Sequence, residues 1–546
     1  MTGWMDHLTI APIVIPLLAG AMMMLIDERR RPLKAALGLA STVALLVVAV
    51  TLLRIADGAP PEAGAAAVRM YRLGDWPSFL GIVLVLDRLA ALMLVLTAIL
   101  GLAALVFSLA RWQKAGAHFH PLFQFQLMGL NGAFLTGDLF NLFVFFEIML
   151  AASYGLALHG SGLARVRAGL HYVAINLAAS LLFLIGVSVI YGIAGTLNMA
   201  ELANRIATVA PEDRALLEAG AAILGIAFLT KAGMWPIGFW LPNTYSTVSA
   251  PSAAIMSILS KVGIYAVLRL WLLMFGGSAG ASAGFAGNWL LIGGVLTIVF
   301  GSVAVLATQS MARLAGACVL VSSGTLLAAV GMGQVAVTGG ALFYLTSSVL
   351  AIAGFFLLIE PLERSREVGA DVLAVTRAAF GEDDEEPDED DEVGIAIPAI
   401  MAILGVSFGA CALLLAGLPP LSGFLAKFAM LAPLLALDTS GDAGVSVTAW
   451  VLLAALILSG LATVVAMTRT GIDVFWASPG NELPRVRVVE IAPVVLLLSL
   501  CVALSVGAGP VMRYMEATAQ SLHVPQDYVR MVLPPPPAEP GAGDGR

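Results

Sequence analysis

The chain has 546 residues, of which 60% are hydrophobic and only 12% are charged, and its formal net charge is −8. Soluble domains are roughly a quarter charged, so this composition excludes a soluble globular protein. Apolar stretches of about 20 residues recur along the whole chain, and each can cross ~30 Å of hydrocarbon as a helix. The sequence therefore predicts an all-α polytopic membrane protein.

About fourteen membrane spans can be marked along the chain. Two of them, the seventh and the twelfth, are too long for a single straight crossing, and each contains proline near its middle. In chain order the approximate limits are 9–26, 33–54, 79–110, 121–137, 139–159, 168–194, 215–247, 252–275, 286–309, 312–333, 337–360, 394–436, 445–468 and 488–515.

Both long runs are predicted to be broken helices. Pro236 interrupts the seventh run, and Pro419, Pro420 and Gly423 interrupt the twelfth. Proline removes a hydrogen-bond donor and clashes with the preceding turn, so each helix should break there. At membrane depth a broken helix is tolerated only beside protein or a watery cavity. Because the breaks lie five spans apart, they predict two inverted five-helix repeats of the kind found in transporters.

These features divide the chain into five predicted parts. An acidic loop, 364–393, interrupts the second repeat, and ten of the eleven residues from Glu382 to Glu392 are acidic. A solvated loop explains this run most simply, and cation attraction or partner docking is the alternative. The parts are an N-terminal three-helix segment (1–120), the first repeat (121–275), the second repeat (286–468), the last transmembrane helix (488–515) and a flexible tail (516–546).

Lysine and arginine are concentrated in the loops that follow odd-numbered spans, beginning with Arg29, Arg30, Arg31 and Lys34. Loops rich in these residues stay on the cytoplasmic side of a membrane. With an even number of spans, both termini are predicted to lie outside.

Four ionisable side chains interrupt apolar runs: Glu147, Lys231, Lys261 and Lys427. A charge at the centre of a bilayer costs ~2.5–3.5 kcal/mol, so its usual explanation is ion or proton conduction. Buried lysine loses and regains a proton readily, and Glu147 with Lys231 could form a pair that opens and closes. The alternatives are a structural ion pair for Glu147 and a lysine that extends to the membrane surface for Lys231.

Auxiliary polar groups are expected around Lys261. Ser257, Lys261, Tyr265 and Arg269 recur every four residues and so form one stripe on a helix, which could line a hydrated path or simply pack against a neighbour. His171 could titrate near neutral pH, although a satisfied histidine at a helix end is the simpler interpretation.

The remaining polar residues favour structural roles. No phosphate loop, dinucleotide fingerprint or paired cysteines occur, so the sequence predicts no cofactor, no metal and no nucleic-acid partner. Helix packing is assigned to Tyr172, Asn176 and Ser180, and a surface position to His118, His120 and His159.

Three long motifs resemble one membrane family. They are GDLFNLFVFFEIMLAASY (137–154), FLTKAGMWPIGFWLPNTYSTVSAPSAAIMSILSKVGIYAVLR (228–269) and LPPLSGFLAKF (418–428). They resemble the proton-conducting antiporter-like subunits that respiratory complex I shares with Mrp-type cation/proton antiporters, and look most like the D-type subunits of Mrp antiporters. The resemblance covers roughly 80–515.

The resemblance implies a role for each buried charge. Glu147 matches the essential acid of the fifth span, Lys231 its partner base, Lys261 the central relay base and Lys427 the base of the twelfth span. The chain departs from the family in the tenth and eleventh spans, which lack a central ionisable group. Ser322, Ser323, Thr346, Ser347 and Ser348 could support water there.

The function implied is proton translocation within a multisubunit Na⁺/H⁺ or K⁺/H⁺ antiporter of a bacterial membrane, with small hydrophobic subunits as partners. The chain is thus expected to be a transporter subunit rather than an enzyme. Two alternatives stay open: a proton-pumping membrane subunit of an NADH dehydrogenase or hydrogenase complex, and a non-conducting scaffold.

Overall fold

The structure is a computed structural model. It describes residues 6–58, 68–76, 81–380, 399–435, 445–476 and 486–533, with only the backbone for 365–380. The acidic run predicted at Glu382 to Glu392 lies outside the described residues.

Among its described residues, the N-terminal part contains four α-helices and one pair of antiparallel strands. The four residues of β2 are all buried, and the side chain of Asp87 then accepts the Ala90 N–H at 2.9 Å, which caps α3. The third span therefore begins at Arg88 and not near 79, because the strand β2 occupies Val83–Leu86 within the predicted span. The elements are α1 (Ala11–Leu25), α2 (Arg31–Asp57), β1 (Arg69–Arg72), β2 (Val83–Leu86), α3 (Arg88–Ser108) and α4 (Phe119–Leu135).

The middle part carries the first broken helix, formed by α8 and α9. Gly233 ends α8 in the left-handed conformation (φ +79°), and a cis peptide bond joins Trp235 to Pro236. The helices are α5 (Leu139–Leu158), α6 (Leu163–Ala194), α7 (Met199–Ile206), α8 (Pro211–Ala232), α9 (Trp240–Thr247) and α10 (Ala250–Phe275).

The C-terminal part carries the second broken helix, formed by α14 and α15. Gly417 follows α14 with a φ of +75°, and a cis peptide bond joins Pro419 to Pro420. The helices are α11 (Gly287–Ala307), α12 (Met311–Gly331), α13 (Val335–Phe380), α14 (Ala399–Ala416), α15 (Ser422–Leu435), α16 (Val447–Phe475), α17 (Val488–Val506), α18 (Ala508–His523) and α19 (Gln526–Val532).

The helical membrane fold is confirmed. Among the described residues, twelve helices are long and apolar enough to cross a membrane, and α1 and α15 are shorter apolar helices. Helix α4 also lies in the bundle, against α1 and α5, but it is not among those apolar helices. The number of about fourteen spans and the two inverted repeats stay predictions.

Two predicted irregular segments are partly helical. Helix α13 continues to Phe380, so the loop predicted at 364–393 does not begin at 364; alanine, leucine and arginine in this stretch favour helix. The tail predicted at 516–546 is likewise wrong over 516–533, where α18 buries Ala519 and Leu522 and α19 buries Tyr528 and Val532. Within each helix the buried residues are three or four positions apart, and the polar residues between them hide the pattern.

The centre of the bundle is formed by α10, α12 and α13, whose membrane-spanning segments are almost wholly buried. Helix α10 packs against α3, α4, α8, α12 and α13. Gly263 of α10 allows the contact with α8, because a Cβ there would lie 2.6 Å from the carbonyl oxygen of Phe228. Side chains on these helices are therefore shielded from lipid by their neighbours.

A buried ion pair joins α3 to α10. Both guanidinium nitrogens of Arg269 donate to the carboxylate of Asp87, one of them at 2.7 Å. The guanidinium lies over the rings of Tyr265 and Tyr528, at 5.4 and 5.3 Å from their centres. Tyr265 in turn donates to the carbonyl oxygen of Phe134 at 2.6 Å. One charge pair thus connects α3, α4, α10 and α19.

Arg269→Met should destabilise the protein by about 3–5 kcal/mol, because it leaves the Asp87 carboxylate buried without its partner. The double variant Asp87→Asn/Arg269→Met keeps the helix cap and removes both charges, so it should be more stable than Arg269→Met alone. Thermal unfolding in detergent measures the difference. A double variant no more stable than the single one would contradict this role.

Candidate functional site: buried charges at two broken helices

Glu147 lies in the middle of α5 and faces α6. Ser180 on α6 donates its hydroxyl to the Glu147 carboxylate, and the two residues are 33 positions apart in the chain. The carboxylate is partly buried. A donor on the neighbouring helix compensates part of the cost of holding an ionised group at this depth.

Lys231 lies in the last turn of α8 and is 5% exposed. Its ammonium lies 5.4 Å from the centre of the Phe146 ring and has no hydrogen-bond partner. It is close enough to Glu147 to interact electrostatically, yet the two do not form a direct ion pair. The structure therefore holds this acid–base pair in a separated arrangement.

The Phe146 ring beside the Lys231 ammonium belongs to a cluster of three phenylalanines. Phe146, Phe183 and Phe228 pack edge to face, with ring centres 5.3 to 5.9 Å apart. The face of Phe146 stabilises the nearby ammonium through its quadrupole. The Phe146 ring thus supports the Lys231 ammonium, which has no hydrogen-bond partner.

Lys261 is fully buried (0% exposed) in α10. Its ammonium donates to the hydroxyl of Ser323 on α12 at 3.2 Å. The predicted polar stripe on α10 is only partly available to it. Ser257 bonds to the carbonyl oxygen of Ala254, and Tyr265 belongs to the ion-pair cluster of Arg269. Lys261 is therefore directed towards α12 rather than along its own helix.

Hydroxyl groups fill the region between Lys261 and the second broken helix. Ser322 donates to Ser348 at 3.1 Å, and Ser347 lies 2.7 Å from Ser422 at the start of α15. A cavity of about 20 Å³ lies among them, enough for one water molecule. Its polar lining is Cys318, Ser322, Tyr344, Ser347, Ser348 and Thr463.

Lys427 lies in α15 and is 9% exposed. Its ammonium donates at 2.8 Å to the carbonyl oxygen of Ala416, the last residue of α14. Gly417 and Gly460 make room for it, since a Cβ would come within 2.9 and 3.5 Å of the nitrogen, respectively. The carbonyl released by the second break is thus satisfied by the lysine, where the helix end also favours a positive charge.

The first break satisfies its carbonyl differently. The carbonyl oxygen of Thr230 accepts the backbone N–H of Gly233 at 3.2 Å and the indole N–H of Trp240 at 3.3 Å. Lys231 is therefore not needed to satisfy the helix end, and its ammonium remains unbonded. The lysines at the two breaks are therefore held differently: Lys427 bonds to the backbone, whereas the ammonium of Lys231 has no hydrogen bond.

The structure places His171 outside this group. It is exposed on α6, and its ring bonds to the carbonyl oxygen of Arg167 one turn earlier. The expectation that it could assist the buried charges is therefore not supported by its position. The residues grouped here are Glu147 and Lys231 in one cluster, and Lys261 and Lys427 at either side of the hydroxyl region.

Sequence reasoning missed or misplaced four polar residues. Ser180 was assigned to helix packing but contacts Glu147, and Asp87 was not considered. His120 and His159, assigned to the surface, are both buried. The sequence does not indicate which hydroxyl or carboxylate pairs with which group when the two residues lie far apart in the chain. In the described part of the chain, no group of histidine, cysteine and acidic side chains could hold a metal ion.

Comparison with known proteins gives a consistent result. Residues 136–456 match the family described as NADH:quinone oxidoreductase/Mrp antiporter, TM. A relative from Rhizobium meliloti, the D subunit of a probable K(+)/H(+) antiporter, is 58% identical over 542 residues, which are 98% of this chain and 99% of the relative. The D subunit of a Na(+)/H(+) antiporter from Alkalihalophilus pseudofirmus is 32% identical over 535 residues, covering 97% of this chain and 100% of the relative.

A solved structure shares the fold. A chain in the structure of the Mrp complex from Dietzia sp. DQ12-45-1b superposes with a TM-score of 0.79 at 24% identity, covering 97% of this chain and 100% of that one.

Ser180→Ala should increase the reaction of Glu147 with dicyclohexylcarbodiimide, which attacks protonated carboxyl groups in apolar surroundings. A hydrogen bond to an ionised group is worth ~1.5–3 kcal/mol, so its loss should raise the labelling about tenfold. Mass spectrometry of the Glu147 peptide measures the labelling. The control is Ser188→Ala, whose exposed hydroxyl on the same helix bonds only to Leu184. Equal labelling of wild type and Ser180→Ala would contradict the bond.

Proposed function

The chain belongs to the NADH:quinone oxidoreductase/Mrp antiporter family, and we propose that it is the proton-translocating subunit of a multisubunit monovalent cation/proton antiporter. The resemblance to Mrp-type D subunits found in the motifs is confirmed by the 58% identity to the Rhizobium meliloti relative over nearly the whole chain. As an antiporter subunit, the chain is a transporter component and not an enzyme.

The observation that carries this proposal is the arrangement of the buried charges. Lys231, Lys261 and Lys427 are all nearly excluded from solvent, and two of them stand at helix breaks. Burying an unpaired charge costs several kcal/mol unless the group can exchange its proton or find a partner. Groups that exchange protons over short distances through hydroxyls and water are the components of a proton path.

The proposed switch is the Glu147–Lys231 pair. In the present arrangement Glu147 bonds to Ser180, and Lys231 lies against Phe146. Contact between unit charges at about 4 Å would contribute ~4 kcal/mol at an effective dielectric of 20, close to a thousandfold change in an equilibrium constant. Arrival of a proton at Lys261 adds positive charge near the pair and shifts Lys231 towards the carboxylate.

The hydroxyl region connects the central lysine to the terminal one. Lys261 bonds to Ser323, and the cavity beside Tyr344 extends to Gly423 at the second break. Hydroxyls both donate and accept hydrogen bonds, so one trapped water could complete a chain without a titratable residue. Ser322 and Ser348 would thereby take the place of the central ionisable group of the family's tenth and eleventh spans, which this chain lacks.

The terminal exchange site is Lys427. Its ammonium borders an apolar cavity of about 450 Å³ lined by Leu418, Phe428 and Leu461, all of them exposed on the described chain. Another hydrophobic subunit of the complex would cover this face. Such a contact would exclude lipid from the ammonium and carry the field of a moving proton into the neighbouring subunit, where the cation is expelled.

The exchanged cation is K⁺ or Na⁺. The 58% identical relative is named for K⁺ and the 32% identical one for Na⁺, so K⁺ is the first cation to test. The complex would lie in a bacterial cell membrane with both termini of this chain outside, as the distribution of lysine and arginine indicates.

Glu147→Gln and Lys231→Met should each abolish cation-dependent collapse of a proton gradient, because either change removes one half of the switch. The measurement uses the whole complex in vesicles, with K⁺ and Na⁺ added separately. Glu201→Gln is the control, since this carboxylate pairs with Arg205 on the short helix α7.

Co-purification of the other subunits shows whether each variant still assembles. Normal exchange in an assembled Glu147 or Lys231 variant would refute the proposed switch. A flavin or iron–sulfur subunit in the wild-type preparation would instead favour a redox-driven proton pump.

Tyr344→Phe should slow exchange about tenfold, as expected when one hydrogen bond of ~1.4 kcal/mol is lost from the chain of hydroxyls. The ring is retained, so packing should change little. Thr346→Val is the matched control: Thr346 is buried on the same helix, and its hydroxyl bonds to Leu342. Equal rates in the two variants would remove Tyr344 from the path.

A further inference from the structure

Helix α3 is recessed in the surface of the bundle. Between Leu89 and Ala110 every residue is buried, apart from a single line of half-buried apolar side chains. These side chains are three or four positions apart, so they lie on one face of the helix. A helix that is exposed along one narrow line forms the floor of a groove between its neighbours. The line consists of Val95, Ile99, Leu102, Val106 and Leu109.

The walls of this groove are α2 and α17. Both helices pack against α3, but no close packing between α2 and α17 is found in the part of the chain that the structure describes. The other helices packed on α3 are α4, α10 and α13, which belong to the interior of the bundle. Only 33% of the membrane-spanning segment is buried in each wall helix. The groove, called the α3 groove below, therefore opens towards the lipid.

Basic residues are concentrated at one end of the α3 groove. The 21 residues of α3 rise ~31 Å, enough to cross the hydrocarbon, so Arg111 and Lys114 follow it at the level of the lipid headgroups. Both walls begin at this end with an arginine, since Arg31 is the first residue of α2 and Arg487 immediately precedes α17. Arg31 donates to the carbonyl oxygen of Lys114 at 3.5 Å, and Arg487 to that of Ala110 at 3.3 Å.

The loop after α3 also forms a cavity of about 550 Å³ with the end of α13. Arg111 and Lys114 line this cavity and are exposed. Lys114 forms no ion pair with any other described residue, and Arg111 lies 3.6 Å from Glu360, beyond hydrogen-bonding distance. The carboxylates of the lining are already engaged: Glu360 accepts the indole N–H of Trp112 at 2.7 Å, and Glu363 is not free either. Both cations can therefore bind an added anion.

We propose that the α3 groove binds one anionic phospholipid, with an acyl chain along its floor and the phosphate between Arg111, Lys114 and the two wall arginines. Lysine and arginine at the membrane surface attract anionic lipids, and basic pockets between transmembrane helices bind their headgroups. A free phosphate would leave the apolar floor uncovered, whereas a phospholipid matches both the floor and the charges. This site is separate from the charges at the broken helices and does not depend on the proposed transport function.

The lipid can be located by photolabelling of the whole wild-type complex in vesicles. One sample contains a trace of phosphatidylglycerol with a photoreactive diazirine in its acyl chain, and the other contains phosphatidylcholine with the same chain. Mass spectrometry of peptides then locates the label. Phosphatidylglycerol should label α3 several-fold more than phosphatidylcholine does. Helix α11 is the internal control, because its exposed apolar side chains, among them Ile292 and Val299, should be labelled equally by both lipids.

Two results with the wild-type complex would overturn the proposal. Labelling of α3 by phosphatidylglycerol that is no greater than by phosphatidylcholine would show that the groove contacts only bulk lipid. Absence of label on α3 while α11 is labelled would show that another subunit covers the groove.

A charge variant tests the headgroup site. Arg111→Gln/Lys114→Gln should lower the labelling of α3 by phosphatidylglycerol about tenfold, because two of the cations that hold the phosphate are lost. The matched control is Arg167→Gln/Arg313→Gln, which removes two exposed arginines from the starts of α6 and α12 and should leave the labelling unchanged. Wild-type labelling in an assembled Arg111→Gln/Lys114→Gln complex would overturn the headgroup site.

A variant that fills the groove tests the acyl-chain site. Val106→Trp places a large side chain on the floor and should reduce the labelling of α3 by phosphatidylglycerol several-fold. Val303→Trp, at a position of α11 that is 60% exposed, is the control and should leave the labelling of α3 unchanged. Undiminished labelling in an assembled Val106→Trp complex would overturn the placement of the chain.

Discussion

The arrangement of the buried charges depends on how each broken helix satisfies the carbonyl groups that its break releases inside the membrane. At the second break the ammonium of Lys427 bonds to the carbonyl oxygen of Ala416. At the first break the carbonyl oxygen of Thr230 is bonded by the backbone N–H of Gly233 and by the indole N–H of Trp240. This difference leaves one lysine, Lys231, without a fixed partner and close to Glu147. The two breaks look alike in sequence, but only one of them holds its lysine in place.

Glycines, aromatic rings and hydroxyl groups surround these lysines, and each kind of residue has a different effect on them. Gly417 and Gly460 give Lys427 its room, and Gly263 brings α10 against the helix that carries Lys231. Phe146, packed against Phe183 and Phe228, lies beside the Lys231 ammonium, whereas hydroxyl groups line the cavity next to the second break. In the proposed function the first cluster would serve the electrostatic switch, and the second would carry proton transfer along hydrogen bonds.

The sequence predicted the membrane fold, the two breaks and the positions of the four buried charges. Proline in a long apolar run and a charge inside one are conspicuous, because each is costly at that depth. The sequence could not predict Ser180 as the partner of Glu147 or Asp87 as the partner of Arg269, because those contacts depend on which helices pack together. His120 was assigned to the surface for a related reason. It lies next to a loop in the sequence, but this does not show that α2 covers its side chain in the fold. The structure differs most from the prediction at the C-terminal end, where mixed polar and apolar residues in α18 concealed a helix that packs on α13.

The bond between Lys427 and Ala416 has a consequence for how the second break behaves during turnover. A lysine that has released its proton still has two N–H groups, so it can go on donating to the same carbonyl oxygen. Both charge states therefore satisfy the end of α14, and the backbone around the two prolines can stay in one conformation from cycle to cycle. In the proposed antiporter, coupling at this end of the molecule would then act through a changing electric field and not through a moving hinge.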